Sequence, residues 1–165
     1  MDLADFRQAR QFMFQDVRRE IELAKATATA AGKAALIRAG VRPGGGNFMA
    51  ALALLCYTEF GGKLKYGHMK NGKDRAAENF NSFFDELGPA YAAFRKQHKV
   101  YDIFRCGLAH EYYVKEACSI AMLGSSTEAG VRIESNGHYR LVVEPFCHHL
   151  ERAFDRLEKH LYPTP

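Results

Sequence analysis

Apolar residues recur every three or four positions, or at sums of these, from Asp2 to about Ala31, with Leu3, Phe6, Met13, Val17, Ile21 and Ala24 on one stripe. That period predicts a long amphipathic helix with Asp2 as its cap. Arg10 falls on the same stripe, either as a snorkelling surface residue or as part of an interface. Gly32 breaks the pattern, and 40–47 (GVRPGGGN) is a connection that proline and glycine keep out of helix. From Phe48 to Phe60 (FMAALALLCYTEF) the chain is apolar on nearly every side, which predicts a central helix and the most buried element. A third helix is expected over Ala76–Leu87, ended by Gly88-Pro89, and a fourth from Ala90 to about Leu108. Ile120–Leu123 reads as a short strand. The runs 131–135 and 138–143 flank Asn136-Gly137, a dipeptide that accepts positive φ at both central positions of a type I′ turn, so a β-hairpin is expected. Pro145 suits the first turn of a last helix, whose stripe is Phe146, Leu150, Phe154, Leu157 and Leu161. The expected architecture is mainly α: one domain over 1–165, an up-and-down bundle of four to five helices with a hairpin inserted before the last.

Composition agrees with a single domain. The 165 residues are 47% hydrophobic and 25% charged, which excludes a disordered or fibrous chain. The net charge of +4 and pI of 8.9 are only mildly basic, far from a histone-like chain whose charge alone implies nucleic acid. The surplus is local. Gly61–Arg75 carries Lys63, Lys65, Lys70, Lys73 and Arg75 against Asp74, an excess of four that equals that of the whole chain. This stretch is either a solvated loop or a loop that contacts phosphates.

No apolar run is long enough to span a bilayer and the start has no secretory pattern, so a cytoplasmic protein without membrane contact is expected. Cys56, Cys106, Cys118 and Cys147 form no CxxC pair, which favours reduced, mostly buried thiols over a zinc or disulfide framework. Neither HExxH, a Walker loop nor GxGxxG occurs, and 44–46 (GGG) lacks the lysine and hydroxyl of a phosphate-cradling loop. No cofactor is implied. A metal reading of Cys147, His148 and His149 with His110 is weakened because adjacent helical histidines point about 100° apart.

The densest group of chemically useful side chains is Phe94–Glu116. Val100, Ile103, Phe104, Gly107 and Leu108 follow i, i+3, i+4, i+7, i+8, a core-facing stripe. Arg105 points off it, beside Asp102. On a straight α-helix His110 would lie about 20° from Ile103 on the core side, and about 140° from Arg105. For the two to serve one substrate group, the helix must end or distort near Gly107, or a second subunit must supply the partner.

Arg105-Cys-Gly-Leu-Ala-His110, an arginine, four intervening residues and a histidine at a helix end, resembles the hallmark of the HEPN superfamily. Its setting, 101–113 (YDIFRCGLAHEYY), is similar to that in uncharacterised bacterial HEPN-like proteins. The chain departs from many active members by having Cys106 where a polar residue follows the arginine, and by its hairpin. The resemblance implies a metal-independent endoribonuclease with its site in a homodimer cleft, often in a toxin–antitoxin setting with an antitoxin or other protein partner. His110 would move the proton of a ribose 2′-hydroxyl and Arg105 would grip the phosphate; Asp102, Cys106, Glu111, Tyr112, Tyr113 and Lys115 are candidate supporting groups. Lys63, Lys65, Lys70 and Lys73 are the candidate RNA contacts. The competing reading is a silent HEPN-like module that binds RNA, a nucleotide or a protein, with Arg105 and His110 holding the helix end.

Overall fold

Nine aromatic side chains, from Phe6 and Phe14 to Phe146 and Phe154, are almost fully removed from solvent, and the helices are arranged around them. The computed structural model describes residues 1–70, 73–111 and 118–163, with the side chains of Lys70, His110 and Glu111 outside that description. In chain order the elements are α1 (Leu3–Thr27), α2 (Ala30–Arg38), α3 (Asn47–Lys65), β1 (Met69–Lys70), β2 (Lys73–Asp74), α4 (Ala76–Asp85), α5 (Pro89–Gln97), a π-helix (Tyr101–Glu111), β3 (Cys118–Ala121), β4 (Val131–Ile133), β5 (Tyr139–Val142) and α6 (Val143–Leu161). The protein is mainly helical, with a small sheet ahead of the final helix. The described elements include seven helices rather than four or five, because two expected helices are each split.

The first split separates α1 from α2. Helix α1 stops at Thr27, and Thr29 caps α2 by accepting from the Gly32 N–H at 3.1 Å. Gly32 therefore sits in the first turn of a new helix instead of ending the old one. Phe6, Met13, Val17 and Ile21 are buried as the stripe requires, joined by Phe14. Arg10 pairs with Asp155 and Glu158 of α6 across an interface within the chain. Arg7 on Glu158 at 2.7 Å and Arg18 on Glu151 at 2.6 Å continue this seam.

Helix α3 touches α1, α4, α6, the π-helix and β3. It begins exposed at Phe48 and Met49, and its buried residues run from Ala50 and Ala51 through Leu54, Leu55 and Thr58 to Gly61 and Gly62, so only one face of its body is the expected core; α6 hides at least as many residues. It also runs five residues past Phe60, through Gly61 and Gly62, which the sequence pattern places in a loop. Their lack of side chains is used for contact. A Cβ on Gly62 would come within 1.9 Å of the Asn79 carbonyl oxygen, and one on Gly61 within 2.4 Å of the Phe83 ring. Close approach to α4 thus offsets glycine's low helix propensity. Phe83 in turn meets Phe154 edge-on at 5.4 Å, the preferred geometry of buried rings.

The second split falls at His98, whose extended backbone (φ −135°, ψ 144°) ends α5. Beyond it, Tyr101–Glu111 winds in π register rather than as α-helix. The sheet has the order β3-β5-β4, with β4 and β5 antiparallel and β3 parallel to β5. The expected hairpin is present with shorter strands. Its turn is not the two-residue type I′ form: the Gly137 N–H bonds to the Glu134 carbonyl at 2.9 Å, Gly137 has φ 78°, and the Glu134 N–H reaches the His138 carbonyl at 2.9 Å. That is a three-residue loop with a left-handed glycine at its end. Among the described residues no helix is long and apolar enough to cross a membrane.

Candidate functional site

The π-helix packs on α3 and α4, with Ile103, Phe104 and Leu108 buried and Val100, just ahead of it, buried too. In π register the N–H of residue i+5 bonds to the C=O of residue i. Residues five apart therefore stack in successive turns, as residues four apart do in an α-helix. Positions 105 and 110 are such a pair. The backbone thus departs from α geometry through the whole segment, while the His110 side chain itself lies outside the described residues.

Arg105 is half-buried, and its Nε donates to Oε2 of Glu59 on α3 at 3.1 Å. The two side chains are 18% and 26% exposed, so the pair is neither fully buried nor free in solvent. Held by Nε, the planar guanidinium keeps a fixed orientation, and its Nη edge is the one a phosphate would take as a fork. Two further titratable groups lie near the contact. Burial pushes the Cys56 thiol up, against the opposing charge of Arg105. Burial, with Glu59 and Cys106 nearby, likewise raises the Tyr101 hydroxyl. At the N-terminal end of the π-helix a cavity of about 330 Å³ is lined by Tyr101, Asp102, Arg95, His98 and Lys99. Arg95 is clamped there by both oxygens of Asp85 at 2.6 Å, and His98 Nδ1 meets the Tyr139 hydroxyl at 3.1 Å.

Of the residues singled out by sequence, Arg105, Asp102 and Cys106 share the π-helix, Asp102 exposed and Cys106 half-buried. The backbone of His110 and Glu111 completes that helix, but their side chains, and all of Tyr112, Tyr113 and Lys115, lie outside the described residues. The four lysines do not form one loop. Lys63 and Lys65 belong to the last turn of α3, Lys63 pairing with Asp74 and Lys65 with Glu86 at 2.6 Å. Lys73 is exposed on β2, and the Lys70 side chain lies outside the described residues. Two of the expected phosphate contacts are thus already matched to carboxylates.

The sequence reading missed Glu59, Cys56 and Tyr101. For Glu59 a signal existed, since it is the only charged residue in 48–60. Cys147 is buried, with Sγ 3.9 Å from Glu151, and His149 turns to Tyr91. Among the described residues no three potential metal ligands converge. Comparison with known protein families, characterised proteins and solved structures finds no match.

Proposed function

We propose that the chain is a metal-independent endoribonuclease of the HEPN type, in which Arg105 and His110 act on one phosphodiester. The observation that carries this reading is the π register of 101–111, which stacks the two motif positions that an α-helix would set on diverging directions. In the reaction His110 takes the proton of the ribose 2′-hydroxyl, the 2′-oxygen bonds to phosphorus, and the bond to the 5′-oxygen breaks. The 5′-oxygen leaves with a proton, and the products are a 2′,3′-cyclic phosphate and a 5′-hydroxyl end. Arg105 neutralises the charge that builds on the phosphate oxygens. The enzyme acts in the cytoplasm as a homodimer whose twofold axis brings two π-helices together.

The bond from Arg105 Nε to Glu59 favours a second reading, a silent module in which the arginine ties the π-helix to α3. The two readings separate in one assay. Under the first, purified protein cuts single-stranded RNA in excess EDTA and spares DNA, which lacks the 2′-nucleophile. His110→Ala and Arg105→Ala each lower the rate by about 10² or more without unfolding the protein. A wild type that leaves a broad panel of RNAs intact, with both variants losing stability, establishes the second.

A further inference from the structure

Helix α6 divides its charges by face. Glu151, Asp155 and Glu158 meet the arginines of α1, with every one of these acids paired. His149, Arg152 and Arg156 follow i, i+3, i+7 and so share another face. That face opens into a cavity of about 490 Å³, walled on its other side by Leu87, Pro89 and Ala129. It shares no residue with the contact between Arg105 and Glu59.

Two guanidiniums four residues apart on one helix face repel each other unless an anion lies between them. Among the described lining residues there is no carboxylate. The acids adjacent in sequence are paired elsewhere: Asp85 with Arg95, Glu86 with Lys65 and Tyr66, Glu128 with Arg132, and Glu151 and Asp155 with α1; of these Glu86 still lies close enough to Arg156 to share its charge. Arg156 is fixed in place by donating to the Glu86 backbone carbonyl at the end of α4. His149 is fixed too. The Gly130 N–H donates to the Tyr91 hydroxyl at 2.7 Å, leaving that hydroxyl to donate to His149 Nδ1 at 2.9 Å. With Nδ1 on the Tyr91 hydroxyl and the ring also hydrogen-bonded to the Ser126 backbone, His149 is committed within the wall and leaves the two arginines as the charged donors of the cavity.

We infer that this cavity binds a phosphate monoester with a compact apolar body. Arg152 and Arg156 take the phosphate oxygens as charge-assisted forks, and the Leu87, Pro89 and Ala129 wall covers the apolar body. Concave shape, an apolar wall and a few oriented donors are the parts of a small-molecule site. The positive charge that selects the anion is carried chiefly by Arg152, with no carboxylate among the described lining residues to oppose it.

Calorimetric titration of the full chain with phenyl phosphate, inorganic phosphate and phenol tests the assignment. Phenyl phosphate binds best, inorganic phosphate several-fold more weakly, and phenol negligibly. Arg152→Gln, at an exposed position, weakens phenyl phosphate by about tenfold or more, since a charged fork is lost. Because Arg156 also braces α4, it is tested as Arg156→Lys, which keeps the charge but loses the fork and weakens binding less than Arg152→Gln does. Absence of binding at about 10 mM phenyl phosphate, an affinity below the level of a useful site, overturns the inference. So does binding that survives Arg152→Gln unchanged, or equal affinity for phosphate and phenyl phosphate.

Discussion

Helix α6 and the π-helix both press an apolar stripe into the same core, yet they are wound differently. On α6 the buried residues Phe146, Leu150, Phe154 and Leu157 follow steps of three and four, and Glu151, Asp155 and Glu158 seat on α1 beside them. Apolar contacts and ion pairs demand one winding. In 100–109 the buried set is Val100, Ile103, Phe104, Gly107 and Leu108. Steps from 103 to 107 and 108, and from 104 to 108, satisfy a repeat of four to five as well as one of three to four. Core packing leaves the winding of this segment open, so the choice falls to its ends and to Arg105, whose partner is on α3. Where an apolar stripe fits two periods, the polar residues riding on it decide which face they share. In this chain those residues include the motif arginine.

The largest effect expected from this comparison is in the α6 stripe. Phe154 is fully buried and its ring meets Phe14 at 5.6 Å, Phe83 at 5.4 Å and Phe6 at 6.2 Å. Phe154→Ala is expected to cost about 3–5 kcal/mol in urea unfolding, a large share of a typical domain's stability. Phe104 of the π-helix is equally buried. If packing and not helix type carries stability, Phe104→Ala costs the same order; a cost several-fold smaller means the π segment opens by itself and the comparison fails.

Much of α6 was legible because its stripe is long, strongly periodic and introduced by Pro145. The hairpin was legible through Asn136-Gly137, although the left-handed position is taken by Gly137 alone and the loop is one residue longer. The break between α1 and α2 was hidden, since Ala28 and Thr29 sit in an alanine-rich run and only the Thr29 cap marks the restart. Gly61 and Gly62 read as loop residues because sequence shows their flexibility and not the Asn79 backbone that lies against them. The site follows the same division. Arg105 stood out from its spacing to His110, but Glu59 is 46 residues away and the Tyr91–His149 bond spans 58. Such pairs exist only once the helices have packed.

A smaller effect sharpens the comparison at Glu59. Its pair with Arg105 is partly exposed at both ends, so the Coulombic gain is screened and Glu59→Gln is expected to cost at most about 1 kcal/mol. Thermal melting of the variant checks this. A loss of several kcal/mol makes the pair a structural tie between α3 and the π-helix, so that the π segment would resemble α6 in being held by its ion pairs.

The smallest effect is a pH slope set by His149 on α6. Burial lowers its affinity for a proton below the ordinary value of 6.5, and the neighbouring His148 adds to this. The unfolded chain, with the ordinary value, therefore takes up a proton that the folded chain resists. Stability from this group is complete above pH 6.5 and declines as the pH falls below it toward the lower folded value. The Tyr91 hydroxyl, which donates to Nδ1 of the neutral ring, loses its acceptor in the same window. Melting temperature measured from about pH 7.5 downward should show a shallow decline starting near 6.5. His149→Gln keeps an oxygen to accept from Tyr91 and should flatten that decline, and His148→Gln should reduce it by removing the repelling charge. A slope that both variants leave unchanged would place the pH sensitivity elsewhere in the chain and leave α6 held by its apolar stripe and its seam with α1 alone.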